Sequence, residues 1–277
     1  MVRFVLCSFL LRKLPRRALR PGTKARWYNP RVLPARPGSS FLTTRWSVLA
    51  ATSSPDPALS RAALETLCAG TWYPLYAFVR RRGHSAEDAR DLVQGFFARF
   101  LEKADLGHLD PARGRFRSFL LASIRNWLAD EHERETAGKR GGGVAPISID
   151  FDAADERYRV DPGHELTPER LFERQWALAL LDLALRRVEE EYRATGKADL
   201  FESLKPALQG RSKDVPLAEI AARLGSSEGA VKVASHRLRQ RFRDALRAEI
   251  AETVSTEEEI EEEIRDLFRA LEFRPEA

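Results

Sequence analysis

Between Val215 and Arg247 the chain runs VPLAEIAARLGSSEGAVKVASHRLRQRFRDALR, two helical periods separated by a glycine. Leu217, Ile220, Ala221 and Leu224 fall at i, i+3, i+4 and i+7, one apolar stripe. Gly225 supplies a helix stop, and Ser227 with Glu228 supplies the next start. Beyond it Val231, Ala234, Leu238, Phe242 and Leu246 keep one face apolar, while Lys232, His236, Arg239 and Arg243 share another, with Arg237 and Arg241 beside it. Two short helices around a small turn, the second apolar on one side and cationic on the other, make a helix-turn-helix. A two-helix hairpin on a bundle, with a solvated charged face, has the same spacing. The charge balance tilts the choice: from Lys232 to Arg247 six Lys/Arg face one acid, Asp244, more than solubility requires. Such a helix fits a DNA major groove, where Arg and Lys reach phosphates and guanine edges.

Composition bounds the rest. Helix formers dominate and β-branched alternation is nearly absent, so the expected fold class is all-α. The net charge of +5 hides a segregation: residues 1–40 carry ten Lys/Arg and no acid, and Glu249 to Glu263 carries eight glutamates and no base. Cys7 and Cys68 match no disulfide framework or metal spacing and fit a reducing cytosol. No run approaches the ~20 apolar residues that span a bilayer, so no stable membrane insertion and a cytoplasmic location are expected. Residues 1–42 read as a disordered basic leader, with a membrane-surface anchor as the alternative.

Residues 43–138 are expected to form a helical domain. Its helices run from about Pro57 to Ala69, through WYPLYAFVRRRG, from the Ser85–Asp88 capping pattern to Lys103, and from Phe116 to Arg134. Residues 139–166 are Gly-, Pro- and acid-rich and read as a flexible linker, semi-extended around IDFDAADERY. Thr167-Pro168 caps a long helix, and a second near Asp199–Leu208 leads to the helix-turn-helix, giving a second small domain over 167–250. Residues 251–277 read as an acidic amphipathic helix with Ile260, Ile264, Leu267 and Leu271 on one side.

Two helical domains joined by a linker, the second a helix-turn-helix, resemble a bacterial RNA polymerase sigma factor of the sigma-70 family, extracytoplasmic-function type. DARDLVQGFFARFLEK, with Asp91-Leu92-Val93-Gln94 at its core, is similar to the region 2 helix that docks on the polymerase clamp. GRFRSFLLASIRNWLADEHER is similar to the promoter-melting and −10 helix, with Phe116, Phe119, Arg125, Asn126, Asp130 and Arg134 in the family's relative positions. LAEIAARLGSSEGAVKVASHRLRQRFRDAL is similar to region 4, with Gly229, Val231, Lys232, His236, Arg237 and Arg239 matching. The chain departs in places: Val233-Ala234 replace a serine followed by a basic residue, so an expected DNA contact is missing at Ala234; a longer hairpin replaces the usual entry to region 4; and the leader and glutamate-rich tail have no counterpart in a minimal member.

The resemblance implies a protein that binds core RNA polymerase at its clamp and flap, reads promoter DNA and opens it, and makes no bonds of its own. It implies −35 contacts from Lys232, Ser235, His236, Arg237, Arg239 and Arg243; −10 and melting contacts from Arg117, Arg125, Asn126, Asp130, Arg134, Lys139 and Arg140; and polymerase contacts from Asp88, Asp91 and Gln94. An anti-sigma partner fits the same family. Trp127 is either a base-stacking surface or core, and Asp130 either a DNA contact or the helix partner of Arg134. No cofactor, metal or catalytic constellation is expected: the histidines at 84, 108, 132, 164 and 236 lack ligand spacing, and Gly141-Gly142-Gly143 follows a helix, not a strand. Two other readings remain, an autonomous helix-turn-helix regulator and a sigma-like adaptor that binds polymerase without reading promoters. The glutamate-rich tail is expected to screen the cationic helix face.

Overall fold

In the computed structural model, which describes residues 56–102, 115–136, 151, 154–161, 165–208, 216–254 and 256–272, every regular element among the described residues is a helix. In chain order these are α1 (Pro57–Arg81), α2 (Ala86–Glu102), α3 (Phe116–Thr136), α4 (Ala154–Arg159), α5 (Pro168–Ala194), α6 (Ala198–Leu208), α7 (Leu217–Arg223), α8 (Glu228–Ala251) and α9 (Glu257–Glu272). The leader over 1–42, and Lys139 and Arg140, lie outside the described residues.

Local chemistry sets most boundaries. The Ser85 hydroxyl accepts from the Asp88 N–H at 3.0 Å and opens α2. Thr167 accepts from the Arg170 N–H at 3.3 Å, with Pro168 at the first position of α5, where its missing N–H costs nothing. Ser227 accepts from the Ala230 N–H at 3.2 Å and opens α8, after Gly225 has closed α7 at φ +58°, a turn that a side chain would strain.

Two expectations are corrected. The helices placed at 57–69 and through WYPLYAFVRRRG are one helix of 25 residues, α1, with Pro74 inside it. An internal proline costs roughly 3 kcal/mol. Tyr73, Leu75, Tyr76, Ala77, Phe78 and Val79 are all buried around it, which offsets that loss. The stretch read as a semi-extended linker contains α4. Phe151 is buried with its ring 5.1 Å from Trp72, Asp155 accepts from the Arg80 guanidinium at 3.0 Å, and the Arg157 guanidinium lies 3.5 Å over the Tyr73 ring. Acids that look solvated in the sequence thus meet arginines and aromatics on their own core.

The buried apolar side chains of both halves form one continuous cluster around α5. Near its start Phe172 lies 6.4 Å from Phe78 of α1, and Trp176 lies 6.0 Å from Phe116 of α3. Near its end Tyr192 lies 5.7 Å from Phe201 of α6. Between these ends Ala177 and Leu181 meet Leu246 and Ile250 of α8 and Ile264, Leu267 and Leu271 of α9. No helix among the described residues is long and apolar enough to cross a membrane.

Candidate functional site

The first turn of α3 is held by the C-terminal helix. Arg117, expected among the DNA-facing cations, is instead 8% exposed. Its guanidinium donates to Glu263 at 2.8 Å, Glu173 at 3.1 Å and Asp266 at 3.2 Å. Arg115 pairs with Glu262 at 3.1 Å, Glu263 at 3.2 Å and Asp266, and the Phe116 N–H donates to the Thr253 carbonyl at 3.0 Å. Burial pushes the Glu263 carboxyl up, against the pull of Arg117 and Arg115. Burial also raises Asp266, but hydrogen bonding and charge from Arg115, with Arg117 and Arg269, bring it net below the usual carboxylate range. Arg117 cannot reach DNA from this position, because each of its donors faces a carboxylate.

This arrangement also redirects the tail. Its inward acids meet Arg115 and Arg117, and Glu261 pairs with Arg247 at the far end of α8, so these carboxylates are engaged away from Lys232, His236 and Arg237. The sequence carried a signal for this: Glu263 falls three residues after Ile260 and next to Ile264, on the stripe α9 buries.

Further along α3 the expected melting residues are exposed. Asn126 and Arg125 face solvent, the latter pairing with Glu169 of α5. The hydrogen bond from Arg125 is the main cause holding the Glu169 carboxyl below its ordinary range. Asp130 pairs with Arg99 of α2 at 3.4 Å, whereas Arg134 pairs with Glu131, so the expected Asp130–Arg134 helix pair does not form. Trp127 is half-buried: its Nε1–H donates to the Leu92 carbonyl at 3.1 Å, and its ring lies under Arg99 at 5.3 Å and Arg134 at 5.7 Å. Arg99 drew no attention in the sequence, because only packing of α2 on α3 brings it to the indole. That packing is tight at Gly95, where a Cβ would lie 3.1 Å from Trp127 Cζ2 and the branched side chain of valine would press on the indole. Gly95→Val should therefore force the two helices apart and cost ~1–3 kcal/mol, read as a lower urea midpoint with an unchanged slope.

On α2 Asp88 and Asp91 are exposed and Gln94 half-buried, so the three expected polymerase contacts lie on the accessible side. The Ser85 hydroxyl donates to Asp88 at 2.7 Å and holds its carboxyl below the usual range, keeping it ionised beside the positive end of the helix.

On α8 the apolar stripe Val231, Leu238, Phe242, Leu246 and Ile250 is buried against α5, α6 and α7, which turns the opposite side outward. Lys232, His236 and Arg237 are exposed there, and Arg239 and Arg243 are half-buried on one flank. Burial, then the neighbouring Arg243 charge, lowers the Arg239 guanidinium pKa. Two like charges are thus crowded on one flank of α8. Ser235 is the exception among the expected contacts. It is buried at 4% exposure on the core side and unable to meet a groove.

Comparison with known proteins gives one match. Residues 74–137, from within α1 through α2 and α3, match the family described as Sigma-70 region 2. No curated protein and no solved structure matches the chain. The segment that carries Asp88, Asp91, Trp127 and the exposed face of α3 is therefore similar to sigma-70 region 2, and it supports a sigma-factor role in polymerase binding and promoter melting.

Proposed function

We propose that this protein is a sigma factor of the extracytoplasmic-function type, in which α7 and α8 act as region 4. It binds core RNA polymerase through Asp88, Asp91 and Gln94, reads a −35 element with the outward face of α8, and opens a −10 element along the exposed face of α3. It does so in the cytoplasm, without cofactor or bond-making chemistry. The observation that carries this reading is the pairing of a region 2 match with an outward cationic helix, Lys232, His236 and Arg237, in one molecule.

The shared core favours a second reading, the adaptor that binds polymerase without reading promoters. Elements at −35 and −10 are ~25 base pairs apart, hence about 85 Å along the duplex at ~3.4 Å per base pair. α5, the 27-residue element that ties both halves together, spans only about 40 Å. Reading both elements at once therefore requires α1 and α3 to part from α5.

Co-purification with core polymerase, followed by transcription from duplex and pre-melted promoter templates, separates the readings. A sigma factor yields promoter-specific transcripts; binding without them supports the adaptor; no association with polymerase overturns both. Within the first reading, Lys232→Ala with Arg239→Ala should lower the slope of log affinity against log salt by up to ~2, as two phosphate contacts vanish, with polymerase docking intact.

A further inference from the structure

The side of α8 directly opposite its buried stripe is formed by Gly229, Val233, Arg237 and Gln240, at i, i+4, i+8 and i+11. Four other cations lie to either side of this line, while Arg247, at its far end, pairs with Glu261. Lys232, Arg239 and Arg243 flank it on one side, and Arg241, which pairs with Glu191 at 3.4 Å and lies 5.7 Å over the Tyr192 ring, on the other. A helix laid in a major groove presents its flanks to the two phosphate walls and its outermost line to the base edges. The side chain at the centre of that line is Val233, 51% exposed and apolar.

Among the described residues Val233 is not packed into the core cluster. It is one of three large hydrophobic side chains exposed among the described residues, with Leu59 and Val160. A β-branched residue at an exposed helix position lowers helix propensity, and here no packing repays it. Gly229 on one side of it is open, since a Cβ there would meet only the Ser227 hydroxyl at 3.9 Å, so the helix backbone can approach closely. Gln240 on the other side is tied back, donating to Asp244 at 2.9 Å and accepting from Arg243 at 2.9 Å. The line thus presents one apolar side chain, Val233, between the open Gly229 and the exposed donors of Arg237. In a major groove the apolar feature a base pair presents is the C5-methyl of thymine.

We infer that Val233 is a specificity-determining residue that selects a thymine through its methyl group, next to Ala234, where the expected basic contact is missing. The inference rests on α8 being a groove reader, as proposed above.

The full-length protein, alone and mixed with core polymerase, would be used to select duplexes from a randomised library. The selected duplex would then be rebuilt with deoxyuridine in place of each thymine in turn, removing one methyl group without altering pairing. The expected result is one position where deoxyuridine weakens binding by about fourfold, the worth of ~0.8 kcal/mol for one buried methyl group. Val233→Ala, which improves helix propensity and leaves the core untouched, should bind the thymine duplex correspondingly less well and lose that discrimination. Deoxyuridine indifference in the native protein, or an effect that persists in Val233→Ala, overturns the inference while leaving groove reading intact. Selection of no duplex by protein or complex overturns the reading of α8, and the inference with it.

Discussion

Arg117→Leu is expected to destabilise the fold by about 3 kcal/mol or more, because it leaves Glu263 charged at 1% exposure with Arg115 as its remaining cation. A buried ion pair is weak evidence of net stability, but breaking one half of it leaves an uncompensated charge. The double variant Arg117→Leu with Glu263→Leu should therefore recover most of the loss. The pH dependence has a definite sign. Burial raises the folded-state pKa of Glu263, and removal of Arg117 raises it further. An acid with a raised folded pKa costs nothing while protonated in both states, and its penalty grows as pH rises through its folded value. Urea unfolding of Arg117→Leu should thus show its full deficit at neutral pH and a smaller one at acidic pH, as Glu263 takes up its proton. A deficit independent of pH would mean that lost packing of the Arg117 stem, and not the stranded carboxylate, sets the cost.

Trp176→Ala is expected to cost about 3–5 kcal/mol by opening a cavity at the junction of α3 and α5, where its ring lies 6.0 Å from Phe116 and 6.2 Å from Phe172. The informative readout is where the loss appears. Since one cluster joins both halves, amide exchange should accelerate together in α1 and in the core side of α8. Acceleration confined to α1 and α3, with α8 unchanged, would show two cooperative units in contact, the arrangement most easily parted on a promoter. A single unit makes that parting costly and shifts weight to the adaptor reading.

Much of the architecture was legible in the residues. The caps at Ser85, Thr167 and Ser227 and the glycine at 225 are local signals, so the helices they bound fall where the sequence places them. What escaped was decided by partners remote in sequence. Continuity of α1 through Pro74 depends on burial of its neighbours, which no local propensity records. The helix at Ala154–Arg159 depends on Arg80 lying opposite Asp155. The cationic face of α8 was readable because it follows from periodicity alone. Arg117 and Ser235 were misplaced, since residue type suggested DNA while position on the helix put each toward the interior. Glu263 shows the converse: an acid on an apolar stripe is the mark of a buried partner, visible only once Arg117 is found beside it.

The contact between Arg117 and Asp266 closes a loop of 149 residues. At a synthesis rate of about 5–20 residues per second, roughly 10–30 s separate the emergence of α3 from that of the helix that neutralises it. Throughout that interval the nascent chain holds two arginines at the mouth of an unfinished core. A product ending before Glu257 keeps only Glu173, which pairs with Arg117, and has no carboxylate for Arg115. A helix made late thus completes a part of the molecule made early, and a chain truncated before it carries its defect far from the truncation.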